Sequence, residues 1–157
     1  QFSEPDFIVS VFKTLNTSGL DPALVALEIT ENTIMSDRSR VSGFMEQIKK
    51  MGLRISIDDF GTGYSSLAYL KRFDADYLKI DRSFVIDLPH DRDSSAIAEA
   101  VIALARSLGL TTIAEGVENE EQMRFLRERG CTRIQGYLYR KPLPLPEFIE
   151  FAKLRSR

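Results

Sequence analysis

Two adjacent carboxylates, Asp58 and Asp59, follow the alternating segment Arg54-Ile55-Ser56-Ile57 and precede Phe60-Gly61-Thr62-Gly63-Tyr64. In an extended strand, alternation sends Ser56 and Asp58 to one face and Ile55 and Ile57 to the other. Asp59 falls where the pleat gives way to the loop, so its side chain can swing to the Asp58 side. Two carboxylates converging on one point repel unless a cation or shared protons offset them, and a divalent metal is the economical partner. Taken alone, the pair also reads as the opening of a turn, because Asp is common there and Gly61 and Gly63 supply positive φ. Four further segments tip the balance toward the metal. Glu28, Lys79, Glu115 and Gln135 each stand at or near the carboxyl end of a short apolar run, and together with Asp58 they recur roughly every 20 to 36 residues, about one β/α unit each.

Carboxylates, one amide and one lysine, with no histidine or thiol among them, form the oxygen-rich set that hard cations such as Mg²⁺ or Mn²⁺ prefer. Zinc would call for nitrogen or sulfur. Such a set suits phosphodiester hydrolysis: paired metals polarise phosphoryl oxygens and acidify a bridging water, while a nearby lysine offsets developing charge. A lysine flanked by carboxylates keeps its proton unless desolvation dominates, so Lys79 reads as an electrostatic and water-orienting group rather than a base. His90, the single histidine, lies in the polar connector Pro89-His90-Asp91-Arg92-Asp93 and reads as a solvated loop residue. Cys131, the single cysteine, reads as a small buried residue; it excludes an internal disulfide and fits a reducing, cytoplasmic setting.

The elements that must position these groups alternate. A helix is expected over Phe2–Leu15, with Ser3 as cap, Pro5 in the first turn and Gly19 as stop. Strands are expected at Val25–Thr30, from Arg54 into the Asp58–Asp59 pair, at Asp76–Asp81, Thr111–Glu115 and Thr132–Gln135. Helices are expected at Asp37–Met51, Ser65–Phe73, Ser94–Leu108, Glu120–Glu128 and Pro146–Leu154, several followed by Gly. Strands joined through helices are parallel, with right-handed crossovers, as in a (β/α) barrel or an open doubly wound sheet. A barrel gathers all strand ends on one rim, so five polar tips favour the barrel.

The chain of 157 residues carries a net charge of −2, which argues against broad binding to a nucleic acid polymer and leaves any phosphate ligand to a local site or a metal. No run is long and apolar enough to span a bilayer. Neither a Gly-x-Gly-x-x-Gly nor a Walker-type loop follows a strand, which weakens nucleotide-cofactor readings.

Glu28-Ile29-Thr30-Glu31, Asp58-Asp59-Phe60-Gly61-Thr62-Gly63-Tyr64-Ser65-Ser66, Tyr77-Leu78-Lys79-Ile80-Asp81, Ala114-Glu115-Gly116-Val117-Glu118 and Gln135-Gly136-Tyr137 resemble, in order and spacing, the EAL domain of bacterial cyclic di-GMP-specific phosphodiesterases. The resemblance covers nearly all of residues 1–157, read as the carboxyl-terminal portion of one such domain. It implies a TIM-like (β/α) barrel that hydrolyses cyclic di-GMP to linear pGpG with two Mg²⁺ or Mn²⁺ ions. By position, Glu28, Asp58 and Asp59 resemble the metal ligands, Glu115 the glutamate that holds metal or the attacking water, Lys79 the catalytic lysine and Gln135 the glutamine near the metal-bound water. Glu31 resembles the residue holding the Asp59–Ser66 loop, a segment tied to metal placement and dimer contact, and Glu118 a residue securing its own loop. Arg140 stands where the family usually has a small residue, a departure that bears on guanine contacts rather than on metal.

The Glu-Ala-Leu motif itself, its nearby arginine and a following asparagine ligand would lie upstream of Gln1. A TIM-like barrel takes eight strands and about 250 residues, whereas five strands are expected here. The expectation is therefore a truncated, five-strand portion with two open edges, persisting as a homodimer or strand-exchanged oligomer and hydrolysing cyclic di-GMP slowly or not at all. The alternative is a catalytically inactive EAL-like module that binds cyclic di-GMP or a protein partner. The parent protein is expected to carry an upstream sensory or GGDEF-type domain and to be cytoplasmic or membrane-anchored.

Overall fold

The structure, a computed structural model, describes residues 6–36, 38–62, 70 and 73–155. Helix α1 (Phe7–Ser18) leads and ends on Gly19 in the left-handed region. There follow β1 (Ala26–Thr30), α2 (Glu31–Ser36), α3 (Arg38–Lys50), β2 (Arg54–Phe60), β3 (Tyr77–Ile80), α4 (Arg92–Leu108), β4 (Thr111–Glu115), α5 (Glu120–Glu128), β5 (Arg133–Gln135) and α6 (Leu145–Arg155). All pairings are parallel, in the order β1-β2-β3-β4-β5. Sequential parallel neighbours make this a five-strand arc of a (β/α) barrel; a doubly wound sheet would reverse its strand order part-way.

Local sequence explains the joints. Asp91 caps α4 by accepting from the Ser94 N–H at 2.7 Å, and Gly109 ends that helix in the left-handed region. In α5, Asn119 and Gln122 exchange side-chain and backbone bonds as a capping box. The Gln122 amide also donates to the Ile86 carbonyl at 2.9 Å, which ties α5 to the segment after β3.

Alternation divides the sheet into two faces. Ile29, Ile55, Ile57, Leu78, Ile80 and Ala114 are buried toward the helices, with Phe44, Ile48, Val101, Ile102 and Leu126 in the same core. The other face carries Glu28, Ser56, Asp58, Tyr77, Lys79, Glu115 and Gln135. At the opposite end of the strands, Asp76 accepts from Lys49 Nζ at 2.9 Å, Arg54 Nη1 at 2.8 Å and the Ile55 N–H at 2.9 Å, fixing the start of β2 against β3.

Two expectations change. No element is expected between Thr30 and Asp37, yet Glu31–Ser36 form a helix of six residues, too short to show periodicity in sequence. Thr30 supplies the local signal, since its hydroxyl meets the Thr33 hydroxyl at 2.8 Å and opens the turn. The expected strands at 25–30, 76–81 and 132–135 each lose a residue or two at their ends. Ser3, Pro5, Asp37, Gly63–Ser66 and most of the expected helix 65–73 lie outside the described residues; Leu70 is helical and buried.

Candidate active site

Lys79 is the centre of the polar face. Mid-strand in β3 and only 2% exposed, it would be untenable as a charge without partners. It has three: its Nζ stands 2.8 Å from Glu28 Oε2 on β1, 3.1 Å from Asp58 Oδ1 on β2 and 2.6 Å from Glu115 Oε1 on β4. The three protons of the ammonium are thus matched by three carboxylates. Burial alone would lower the Lys79 pKa, but the bonds to Glu115, Glu28 and Asp58 outweigh it and raise the value, so the group stays cationic at neutral pH.

Asp58 and Asp59 reach the same side by a backbone device. Asp59 has φ of 55°, in the left-handed region, and the β2–β3 register shifts between Ile57 and Phe60. The extra residue turns Asp59 back toward Asp58, whose Oδ1 accepts the Asp59 N–H at 3.0 Å. Burial, then the neighbouring Asp58, pushes the Asp59 carboxyl above its ordinary value. Burial likewise raises Glu115; the pull of Lys79 in the other direction is partly cancelled by Asp58 and Glu28.

Asp58, Asp59 and Glu115 each offer an oxygen within 4.8 Å of the others. Oxygens around one small hard cation stand about 3 to 4.2 Å apart, from metal–oxygen bonds of roughly 2.1 Å, so a slight contraction lets the trio chelate. Four carboxylates around a single ammonium leave net negative charge, and an all-oxygen donor set fits Mg²⁺ or Mn²⁺. Glu28 lies outside the trio and holds Lys79 instead.

Two acids secure the loops above the rim. Glu31 is buried and its Oε2 accepts the Gly61 N–H at 3.1 Å. Glu118 accepts from Arg82 Nη2 at 2.9 Å, and the Glu118 N–H donates to Gln122 Oε1 at 2.7 Å. Gly136 packs so closely on the next loop that a Cβ there would stand 2.1 Å from the Val117 carbonyl oxygen. Gln135 pairs in register with Glu115 at the end of β5 and is exposed. Beside them opens a cavity of about 460 Å³, bounded by Glu115, Gln135, Arg82, Tyr137, Phe148 and the Arg140–Leu143 segment. Lys141 Nζ stands 5.6 Å from the Tyr137 ring centre and the Arg140 guanidinium 5.9 Å from that of Phe151. His90 is exposed, 3.3 Å from Glu121, and Cys131 is buried, so neither enters the rim.

The sequence profile described as "EAL domain" matches residues 1–142. The chain belongs to the EAL domain family. It is 47% identical over 149 residues to the bifunctional diguanylate cyclase/cyclic di-GMP phosphodiesterase MucR of Pseudomonas aeruginosa, covering 95% of this chain and 22% of that protein. It is 46% identical over 139 residues to the cyclic di-GMP phosphodiesterase NbdA of the same organism, covering 88% of this chain and 18% of that one. Among solved structures, the MucR phosphodiesterase in complex with c-di-GMP superposes with a TM-score of 0.90 at 47% identity, covering 94% of this chain and 60% of that chain. BlrP1 of Klebsiella pneumoniae, in a manganese/cy-diGMP complex, gives 0.82 at 33% identity over 90% of this chain and 36% of that one. The chain therefore spans about a fifth of the length of the curated relatives it matches. As in those EAL domains, the fold is TIM-barrel-like, here with five strands of the barrel among the described residues.

Sequence pattern alone brought Glu28, Asp58, Lys79 and Glu115 to one face, and the EAL geometry joins all four through the lysine. It missed Arg82 and Phe84, in the 3₁₀ turn Arg82–Phe84 after β3. The available signal was Asp81 followed by Ser83, an Asx-type turn: Asp81 Oδ1 accepts the Ser83 N–H at 2.9 Å.

Proposed function

We propose that this chain is the lysine- and carboxylate-bearing portion of a metal-dependent EAL phosphodiesterase that, in its whole protein, hydrolyses one phosphodiester bond of cyclic di-GMP to give linear pGpG. The observation that carries the reading is Lys79, buried yet charged, with the Asp58–Asp59–Glu115 trio beside it.

Asp58, Asp59 and Glu115 are the residues that would hold Mg²⁺ or Mn²⁺, with Glu28 joining if Lys79 releases it. A bound ion of this kind supplies Lewis acidity toward a phosphoryl oxygen and acidifies a water. Lys79 places a permanent positive charge at the rim, where it stabilises negative charge developing on the phosphoryl group and orients water without taking a proton. Glu115, with its raised pKa, accepts a hydrogen bond from Lys79 at Oε1 and has its second oxygen for metal or water. Gln135, across the β4–β5 register from Glu115, offers an amide to the same water. Glu31 and Glu118 hold the two loops in place. The adjoining cavity, with its aromatic walls and with Arg140 and Lys141 at its edge, has the chemistry to take a guanine base and a phosphate.

Residues 1–157 are proposed to act as one domain portion. Three carboxylates fill only part of a six-oxygen shell, so the isolated chain is proposed to be a poor catalyst. Strands β1 and β5 lack a second neighbour among the described residues, which favours pairing with a second copy of the chain or strand exchange. The alternative of a non-catalytic module that binds cyclic di-GMP or a protein partner rests on the same two edges. The short span relative to the relatives, one of which is a bifunctional cyclase/phosphodiesterase, favours a sensory or GGDEF-type neighbour in the parent. Among the described residues no helix is long and apolar enough to cross a membrane, and the one cysteine is free; both accord with a cytoplasmic setting, with or without an anchor elsewhere in the parent.

The test is conversion of cyclic di-GMP to pGpG by the full-length protein with Mg²⁺ or Mn²⁺, against its Asp58→Asn variant. Metal-dependent turnover in the wild type, reduced at least a hundredfold by the substitution, supports the reading. Metal-independent turnover overturns the metal reading, and no turnover while cyclic di-GMP still binds favours the module alternative.

A further inference from the structure

The carboxylate trio has two arms. Asp58 and Asp59 come from the end of β2, and Glu115 comes from the end of β4, with β3 between them. Each arm is followed closely by a glycine of positive φ: Gly61 at 99° and Gly116 at 71°. Both glycines are covered by side chains of one short turn, Arg82–Phe84, which leaves β3 three residues after Lys79.

Arg82 lays its stem across Gly116, where a Cβ would stand 2.3 Å from Arg82 Cγ and 2.9 Å from Cδ. Its guanidinium continues to Glu118 in the same loop at 2.9 Å. Phe84 turns the other way and sets its ring edge on Gly61, where a Cβ would stand 3.1 Å from Cε2. Gly61 is also held by the Glu31 carboxylate, which accepts its N–H. Each arm is therefore pressed by one residue of the same turn, and Asp81 fixes that turn by accepting from both the N–H and the hydroxyl of Ser83.

Resting on the reading that Asp58, Asp59 and Glu115 hold a cation, we propose that the Arg82–Phe84 turn is a spacer that sets the separation of the two arms, with Arg82 and Phe84 as positioning residues for Glu115 and for Asp58–Asp59. Neither side chain is fully buried: the Arg82 side chain is 57% exposed, and Phe84 is half-buried at the edge of the core. Their packing falls on the glycines, the two positions where a neighbour can reach the backbone that aims the carboxylates. Supporting groups of this kind act on metal affinity more than on folding, since a ligand displaced by a fraction of an ångström no longer meets the ion.

The experiment is Mn²⁺ binding to the 157-residue chain, followed by loss of the free-ion paramagnetic resonance signal, alongside thermal melting without metal. Arg82→Ala and Phe84→Ala are each expected to weaken Mn²⁺ binding about 10- to 100-fold, the range for outer-shell partners. Phe84→Leu, which restores apolar bulk over Gly61, is expected to recover most of the loss. Ile48→Val, a core trim in α3 remote from the rim, is expected to lower the melting temperature while leaving Mn²⁺ affinity unchanged. Wild-type affinity in both alanine variants, or an equal loss in Ile48→Val, overturns the spacer while leaving the carboxylate site intact. Failure of the wild type itself to bind Mn²⁺ overturns the carboxylate reading and the spacer with it.

Discussion

Replacing Lys79 by Met should separate the lysine's electrostatic role from its packing. Methionine keeps the stem and removes the charge, leaving Glu28, Asp58 and Glu115 without the cation that each contacts at 2.6 to 3.1 Å. Breaking a buried charge pair typically costs about 3–5 kcal/mol. Here the orphaned side chains are 52%, 18% and 19% exposed, so water can reach them, and a loss of about 2 kcal/mol at pH 7 in metal-free protein is the better expectation. For a chain of this size that is a fall of about 4–8 °C in Tm. The raised folded-state pKa of Lys79 fixes the sign with pH: the stabilisation is complete below the unfolded value near 10.5 and is lost only as pH rises through the higher folded value. The deficit should therefore be steady across neutral pH. Excess Mn²⁺ or Mg²⁺ should restore much of it, because a divalent ion replaces the missing positive charge, so the metal-induced rise in Tm should be larger in the variant than in the wild type. Melts by circular dichroism with chelator and with metal measure both quantities. A variant that melts within 1 °C of the wild type without metal, or that gains no more from metal, would refute the reasoning.

Three shorter predictions concern the supports of the site. Asp59→Asn should keep the left-handed backbone but lose metal affinity, whereas Asp59→Val should lose affinity and also cost about 1–3 kcal/mol, because a β-branched residue is strained at φ of 55°; metal titration and chemical denaturation separate the two. Gly136→Ala should displace the loop between β5 and α6, since no rotamer relieves a Cβ 2.1 Å from a carbonyl oxygen, and proton–nitrogen NMR shifts should spread through Val117 and its neighbours. Asp76 has a lowered pKa: burial would raise it, but Arg54, the Ile55 N–H and Lys49 together outweigh that. Its contribution is then fully present above the unfolded value near 3.8 and lost as pH falls through the folded one, so Asp76→Asn should cost about 2–4 kcal/mol at pH 7 and progressively less below pH 4 in urea melts.

Much of this was legible in the letters because strand alternation is a strong constraint. Ile55 and Ile57, or Leu78 and Ile80, could face only the helices, which left Asp58 and Lys79 on the other side. A lysine in that place demanded carboxylates, and Asp58 and Glu115 were available on the flanking strands, with Glu28 one strand further out. The register shift at Asp59 was not legible, since nothing in Asp-Asp-Phe-Gly states that one aspartate will adopt positive φ. Glu31–Ser36 was too short to announce itself as a helix. The turn at Arg82–Phe84 was overlooked for a different reason: its importance lies in what it touches, two glycines distant in sequence, and pairings of that kind emerge only when β2, β3 and β4 are aligned.

The most direct measurement is a crystal of the chain soaked in Mn²⁺, with anomalous scattering used to locate the ion. A peak within coordination distance of Asp58, Asp59 and Glu115, beside an intact Lys79, is the predicted result. Manganese bound elsewhere, or carboxylates of these three residues turned away from one another, would contradict it.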